Sequence, residues 1–552
     1  MPSSETPRSD FVRSLWPWLP IWLLAALTAI FAHGPMPLYS TRTLAVAWEM
    51  WDQHHWIVPY INGAPYSEKV PLLFWLIHLG WAVFGVSDVW PRLLEVMIGG
   101  SELVLATLMA QRLFPATPWI ARLVPWLLGS LSYAFLFGLQ IMYDVLLAVW
   151  TLAALLCLLP DGRGREQPRW LYFGLCLGLG LLTKGPVILL HAGLPWLLGP
   201  LWSDWAARHR RRWYGAGLLS LLLAAGMLLA WAVPAGFSGG EAYRHKLFFT
   251  QTAGRVVGGM DQSHRLQSHS RPLWWYLPWL PLLLFPLSGL PRAWQALATL
   301  RRPLDAGTRF LLCWVLPALL IFSLIRGKQL YYPLPELAGA VILITAALWR
   351  QQSQDPARRT RWPDTWPLAL ASIATAIGLA SLSLLVGHGR LQGSWYAPLA
   401  GEAIYASPVF LALAILVAWP GHQRLQRVAL AGLAGTATIY ALFNHSLWSK
   451  FDLQQASQLI AQAQARGQRV AQQGAYAGQF HFSGRLHQPI TELEGQSALQ
   501  AFARQHPDSL IVTYPGKLKA SSMRYAVFTQ PFRGGWLVIW PATALEGAAT
   551  PP

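Results

Sequence analysis

The 552 residues are 54% hydrophobic and only 12% charged, with 31 tryptophans; ordinary soluble domains carry about a quarter charged residues, so the composition excludes a purely soluble protein and points to an integral membrane protein. The formal charge of +18 lies in short arginine blocks between apolar segments, the positive-inside pattern of a membrane protein rather than a nucleic-acid surface. Cys157, Cys176 and Cys313 all sit inside apolar segments, with neither a CxxC pair nor a metal-ligand spacing, and read as small buried hydrophobes rather than a disulfide framework.

Along the chain, the first apolar run has a basic flank and no small-residue cleavage site, so it reads as a retained helix with a cytoplasmic N-terminus. Residues 34–91 follow as a long external loop; its stretch "LYSTRTLAVAWEMWDQHHWIVPYINGAPYSEKVPLLFW" is too polar to cross a bilayer. Within it, "TLAVAWEMWDQHHW" suits an interfacial amphipathic helix, where tryptophan rings are favoured. Since a crossing at residues 70–86 would put the arginine blocks on the wrong side, that apolar run is expected to lie at or re-enter the outer surface.

A bilayer core of about 30 Å takes about 20 apolar residues per helix. On that measure spans fall near 15–33, 92–111, 119–139, 145–160, 170–183, 186–202, 214–235, 273–290, 310–325, 331–349, 366–387, 406–420 and 428–444, about thirteen in all. Five blocks are then cytoplasmic: Arg163, Arg165 and Arg169; Arg208 and Arg210 to Arg212; Arg292, Arg301, Arg302 and Arg309; Arg350, Arg358, Arg359 and Arg361; Arg424 and Arg427. Outside lie turns at Asp144, Lys184 and Lys328, a loop over 236–272, and the tail. The tail is polar, with helix-like "DLQQASQLIAQAQARGQ" and "SALQAFARQH" and strand-like "SLIVTYP", "YAVFTQ" and "GWLVIW". It predicts a small periplasmic α/β domain at 448–552 beside an all-α polytopic membrane domain at 1–447.

Ionisable residues at a membrane edge are costly, and five fall on the outer face: Arg42, Lys69, Lys184, Arg255 and Lys328. Cations above an apolar groove suit a lipid-linked phosphate or pyrophosphate, the head bound by charge-assisted hydrogen bonds while the tail stays in hydrocarbon. Any one of them alone also suits a snorkelling anchor. Asp144, isolated among apolar residues, reads either as the N-cap of the next span or as a functional carboxylate. His264 and His269 read as solvated or structural, and no His/Asp/Glu spacing suggests a metal.

"WIVPYINGAPYSEKVPLLFW", "FGVSDVWPRLLEVMIG", "YDVLLAVW", "LLTKGPVILL", "HSRPLWWYLP" and "FSLIRGKQLYYPLP", in this order, together resemble the bacterial glycosyltransferase family 39 proteins, which include the aminoarabinose transferases and relatives of the protein O-mannosyltransferases. The resemblance implies a GT-C fold in the inner membrane and a polyprenyl-phosphate sugar donor. The acceptor it implies is a lipid, such as lipid A, or a cell-envelope glycan on the periplasmic face, with no cofactor. It aligns Lys69 with a lysine at the donor phosphate, Arg42 with a first-loop arginine, Asp144 with the acid of the second external turn, and Lys184 and Lys328 with lysines of later turns. Arg255 and His269 fall in the loop before the "PLWWYLP" segment. Asp144, Lys69 and Glu68 are thus the candidate catalytic residues; Arg42, Lys69, Lys184, Arg255 and Lys328 the candidate phosphate contacts; and Tyr66, Glu49, His269 and Tyr331 further pocket residues.

One departure matters: where the family begins its first loop with an Asp-Glu pair, this chain has Tyr39 and Ser40. A hydroxyl acceptor needs a base, typically worth about 10²–10⁴-fold, whereas a phosphate acceptor is already anionic. The chain is therefore expected either to serve an anionic acceptor or to use Asp144, Glu49 or Glu68 as the acid. A catalytically silent homologue that binds a lipid-linked sugar or partners an active transferase is the alternative. A transporter is disfavoured, as no inverted repeat and no clearly mid-membrane ionisable residue is read.

Overall fold

Helices of bilayer-crossing length make up the frame of the computed structural model, which describes residues 12–161, 166–249, 271–355, 362–391, 394–421 and 423–546. Arg163, Arg165, Arg255, His264, His269, Arg358, Arg359 and Arg361 lie outside the described residues. The membrane part runs α1 (Leu19–Phe31), α2 (Ser40–Asp52), the ribbon β1 (Tyr60–Ile61) and β2 (Ala64–Pro65), α3 (Leu72–Phe84), α4 (Val89–Leu113), α5 (Pro118–Gly129), α6 (Ser132–Gly138), α7 (Tyr143–Leu158), α8 (Trp170–Lys184), α9 (Arg210–Ser238), α10 (Ala306–Leu324), α11 (Leu334–Gln354), α12 (Trp362–Gly387), α13 (Leu399–Ala418) and α14 (Arg424–Leu447).

Among the described residues, seven helices are long and apolar enough to cross a membrane, or eight if α5 and α6, bent by 64°, form one span. That is fewer than the thirteen apolar runs of the sequence. Proline explains much of the gap, because it removes an amide donor and clashes with the preceding turn. Residues 186–202, with Pro186, Pro195 and Pro200, break into 3₁₀, π and short α pieces. Residues 273–290, with Pro278, Pro281 and Pro286, are likewise split into short turns. By contrast, α9 is unbroken and exposes Leu218, Leu219, Leu222 and Leu229, the surface a lipid-facing helix presents. It packs closely on α8 at Gly174, where an added Cβ would come within 2.9 Å of the Ser220 carbonyl oxygen.

The first loop folds largely as its pattern predicts. The stretch expected to lie in the interface does form a helix, α2, but it is buried on every side from Thr43 to Met50, because the rest of the first loop and the tail pack around it. The apolar run that follows becomes α3, whose 13 residues reach about 20 Å, short of a bilayer core, before Gly85 ends it at φ 78°.

The tail holds α15 (Gln454–Ala465), β3 (Val470–Gln473), α16 (His481–Gly484), β4 (Thr491–Leu493), α17 (Gly495–Gln505), β5 (Leu510–Thr513), β6 (Phe528–Phe532) and β7 (Gly535–Pro541). The strands form one sheet in the order β4-β3-β5-β7-β6, parallel across β4-β3-β5 and antiparallel across β5-β7-β6. Alternation along the strands splits the core: Val470, Val512 and Ile539 meet Ala456 and Ile460 of α15, while Ala471, Ile511, Val538 and Trp540 meet Leu499 and Ala503 of α17. The β6–β7 turn is Arg533-Gly534, both at positive φ, as a two-residue hairpin requires.

This tail is seated on the first loop. Trp48 Nε1 donates to the Leu486 carbonyl at 3.0 Å, and Asn62 exchanges hydrogen bonds with the Ile490 backbone at 2.9 and 2.7 Å. His487 meets Asp52 at 2.9 Å, and Phe482 stacks on Trp81 with ring centres 5.6 Å apart.

Candidate functional site

Two helix ends build the centre of the site. Extended backbone at Met142 starts α7, placing Asp144 in its first turn, where the helix dipole favours an anion. The neighbouring helix α8 ends at the same level with Lys184, where the dipole favours a cation, and Gly185 at φ 72° turns the chain away. Lys184 Nζ and Asp144 Oδ1 form an ion pair. Their side chains are only 13% and 5% exposed, so each charge depends on the other for compensation. Asp144 is therefore not the N-cap of α7, whose cap position is Met142. The Lys184 ammonium also lies 5.3 and 4.9 Å from the ring centres of Tyr331 and Tyr332, which precede α11.

One residue before Asp144, the Tyr143 ring lies under the first loop, with Lys69 Nζ 5.0 Å from its centre. Next to Lys69, Glu68 accepts a hydrogen bond from the Tyr66 hydroxyl at 3.0 Å, and the Arg42 guanidinium lies beside that phenol. Burial first, and then the Glu68 charge, push the Tyr66 phenol above its ordinary range against the pull of Arg42. Arg42 Nε is buried with no hydrogen-bond partner. Lys69, Arg42, Tyr66 and Glu68 thus stand on one side of the α7 start, and Lys184, Tyr331 and Tyr332 on the other.

Other candidates are engaged elsewhere. Lys328 is 2% exposed and donates to the carbonyls of Arg271 and Ile325 at 3.0 and 2.5 Å, and burial lowers its pKa. Glu49 accepts from the Gly63 amide at 2.6 Å, tying α2 to the β1–β2 ribbon; burial raises its pKa. Ser40, in the register of the family's acidic pair, is 3% exposed, and its hydroxyl accepts from the Ile141 amide at 3.2 Å. Tyr39 is 47% exposed.

Three features escape a reading of the sequence. Tyr133 of α6 is buried with an unpartnered hydroxyl near Asp144, Tyr39 and Tyr331. Its helix has two uses: Tyr133 and Phe137 face this group, while Ser132 and Leu136 line an apolar hollow of about 330 Å³ with Phe285, Leu368, Phe410 and Gly432. Glu95 and Glu102 sit within the long apolar helix α4, the latter near the middle of that helix. A charge inside an apolar run was the signal available for both. Among the described residues, no group of three or more His, Cys, Asp or Glu is disposed to hold a metal ion.

Residues 68–231 match the family model described as dolichyl-phosphate-mannose-protein mannosyltransferase. The chain superposes on the crystal structure of ArnT from Cupriavidus metallidurans bound to undecaprenyl phosphate, with a TM-score of 0.74 at 16% identity, over 97% of this chain and 99% of that one. The apo structure of the same protein gives 0.74 over 96% and 99%.

The chain has a GT-C fold.

The resemblance to glycosyltransferase family 39 is upheld by sequence as well. The undecaprenyl phosphate-alpha-4-amino-4-deoxy-L-arabinose arabinosyl transferase of Pseudomonas paraeruginosa is 33% identical over 373 residues, 65% of this chain and 63% of that protein. A transferase of the same description from Sodalis glossinidius is 28% identical over 388 residues, 66% and 65% respectively. The GT-C chain thus spans less than two thirds of the length of these curated relatives.

Proposed function

We propose that the protein is an inner-membrane glycosyltransferase that moves a sugar from a polyprenyl-phosphate carrier to a lipid A-like lipid or envelope glycan at the periplasmic face. The observation that carries this reading is the start of α7, where Tyr143 underlies Lys69 and the next residue, Asp144, pairs with Lys184. Helix N-terminal amides and flanking cations form an anion site of the kind a phosphate head occupies. In this reading the charge of the phosphodiester head is met by Lys69 and Arg42, with the Lys184–Asp144 pair on the far side of the α7 start. The prenyl tail then lies in the apolar hollow beyond α6. Relatives named for undecaprenyl phosphate-linked arabinosyl transfer support the donor class.

In the reaction, the acceptor oxygen bonds to the anomeric carbon as the bond from that carbon to the phosphate oxygen breaks. The electron pair leaves on the polyprenyl phosphate, whose added charge is met by Lys69, Arg42 and the α7 amides. An anionic acceptor has no proton to lose, which suits a chain with Tyr39-Ser40 in place of the acidic pair. A hydroxyl acceptor would pass its proton to Glu68 or Asp144. In this reading residues 1–447 form the membrane domain with the N-terminus inside, and 448–552 lie in the periplasm.

Mass spectrometry of lipid A, undecaprenyl-linked sugars and envelope glycans tests it, comparing a deletion strain with strains complemented by wild type and by Lys69→Ala. A sugar lost on deletion, restored by wild type and not by the variant, supports the transferase. Unchanged glycoforms in the deletion strain would favour the catalytically silent reading.

A further inference from the structure

From Ser509 to Leu545 the chain carries Lys517, Lys519, Arg524 and Arg533 and no aspartate or glutamate. All four are exposed, and none is matched by a carboxylate among the described residues. Lysines often guard an edge strand against pairing, but β6 reads "FTQPF", without a charge, and Pro531 already blunts it. The cations lie instead at the β6–β7 turn and in the loop beside it. The Trp536 amide donates to the Pro515 carbonyl at 3.0 Å, so the loop that leads to Lys517 and Lys519 starts at the same end of the hairpin as Arg533. That end stands on the membrane frame, because the Arg533 amide donates to the Lys450 carbonyl at 3.3 Å and Gln530 Nε2 donates to the Ser449 and Asp452 carbonyls at 2.8 and 2.7 Å, just past α14. Lys450 Nζ in turn donates to the Trp395 carbonyl, in the connection between α12 and α13. All three helices are of membrane-crossing length, and the connection exposes Leu391 and Trp395 beside an exposed Arg390, the pairing of ring and cation found at a bilayer interface.

From this juxtaposition we infer that Arg533, Lys517 and Lys519, with Arg390, form a surface that binds the phosphodiester head groups of anionic phospholipids in the leaflet at which α14 ends. Charge complementarity selects this occupant. The carboxylates at the same level are engaged, Asp452 by the Gln454 amide at 3.0 Å and Glu402 by His445 at 3.3 Å, so the net charge left at the helix ends is positive. Attraction to a charged bilayer fades beyond about 8 Å at physiological ionic strength, so cations contribute only where the backbone holds them close, as Lys450 and Ser449 hold the hairpin here. The sheet order places β6 at the edge away from β4, next to which the first-loop seam runs. Lipid heads therefore tie down the other edge of the tail. This surface is independent of the sugar-transfer reading.

The test is hydrogen exchange of the purified full-length protein in nanodiscs of phosphatidylcholine alone and of an equal mixture of phosphatidylcholine and phosphatidylglycerol. A ligand that binds only the docked hairpin raises the protection of its amides by linkage. Each Lys or Arg held at an anionic surface is worth about fivefold, so protection over β6 and β7 should rise by at least about that factor in the mixed discs and lose the gain at about 1 M salt. The Lys517→Gln/Lys519→Gln/Arg533→Asn variant should show no gain, with β3 and β5 protected as in wild type; asparagine tolerates the φ of 51° at position 533. An anionic surface also lowers the local pH, so wild type and variant are compared in the same disc. Lys517→Glu/Lys519→Glu should reverse the response, with lower protection in the mixed discs than in phosphatidylcholine. Equal wild-type protection in the two discs, or a gain kept by the triple variant, would overturn the inference. Should the triple variant lose protection in β3 and β5, the Glu variant carries the test, and a gain that it retains overturns the inference. A gain that appears only when lipid A replaces phosphatidylglycerol would assign the surface to an acceptor lipid and overturn it as well.

Discussion

Lys184 and Asp144 illustrate how a buried pair holds a site and what its removal costs. Replacing one partner strands the other charge, a loss of about 3–5 kcal/mol, while neutralising both removes the problem together with the attraction. Lys184→Met should therefore lower thermal stability more than Lys184→Met/Asp144→Asn does, measured by unfolding in detergent; equal melting temperatures would refute the buried pairing. Lys328 leads to the opposite expectation. With its ammonium on the Arg271 and Ile325 carbonyls, Lys328→Ala should reduce stability while leaving donor KM within about twofold, because the ammonium is already engaged by backbone. Lys69, Asp144, Lys184 and Tyr331 were legible in the sequence as charges and a ring at the edges of apolar segments, where ionisable groups are costly. Glu95 was legible only as a charge inside an apolar run, since its complete burial is set by tertiary packing. Lys328 was legible as a charge, but its carbonyl partners belong to a tertiary arrangement that spacing does not encode.

At the scale of elements, hydropathy located the helices and failed where proline interrupted them, as over 186–202 and 273–290. In the tail, β5 and β7 were legible as apolar runs, while β3 and β4, of four and three residues, were too short to give a pattern. The turn before α16 carries a pH dependence. The Tyr476 hydroxyl accepts from the Phe480 amide at 3.2 Å and lies 2.7 Å from His481 Nδ1, which holds the imidazole in the buried turn. Burial pushes His481 down from 6.5 to about 4. With the folded value below the unfolded one, the unfolded chain takes up the proton first, so stability is full above about pH 6.5 and falls towards pH 4, by up to about 3 kcal/mol. Protection factors over residues 470–490, with the intrinsic exchange rate at each pH divided out, should fall between pH 7 and 5, and His481→Gln should flatten that response; wild-type protection that does not change refutes it.

Across the whole molecule, α2 carries Arg42 towards the anion site and Trp48 and Asp52 towards the tail, so tail docking and site geometry share one helix. Asn62→Gly keeps the positive-φ backbone of that residue but removes both hydrogen bonds to Ile490. It should speed hydrogen exchange in α2 and weaken undecaprenyl phosphate binding a few-fold, by the roughly 1 kcal/mol each such bond contributes. Unchanged exchange in α2 would uncouple tail from site. The seam also imposes an order on biosynthesis. Trp48 and its partner Leu486 are 438 residues apart, so the first loop leaves the ribosome roughly 20–90 s before the segment that clasps it, at about 5–20 residues per second. Until the last hundred residues arrive, Arg42 stands on a helix with one side uncovered. A nascent chain thus reaches the membrane with its cations in hand but its site unassembled, and only a chain extended past Ile490 closes it.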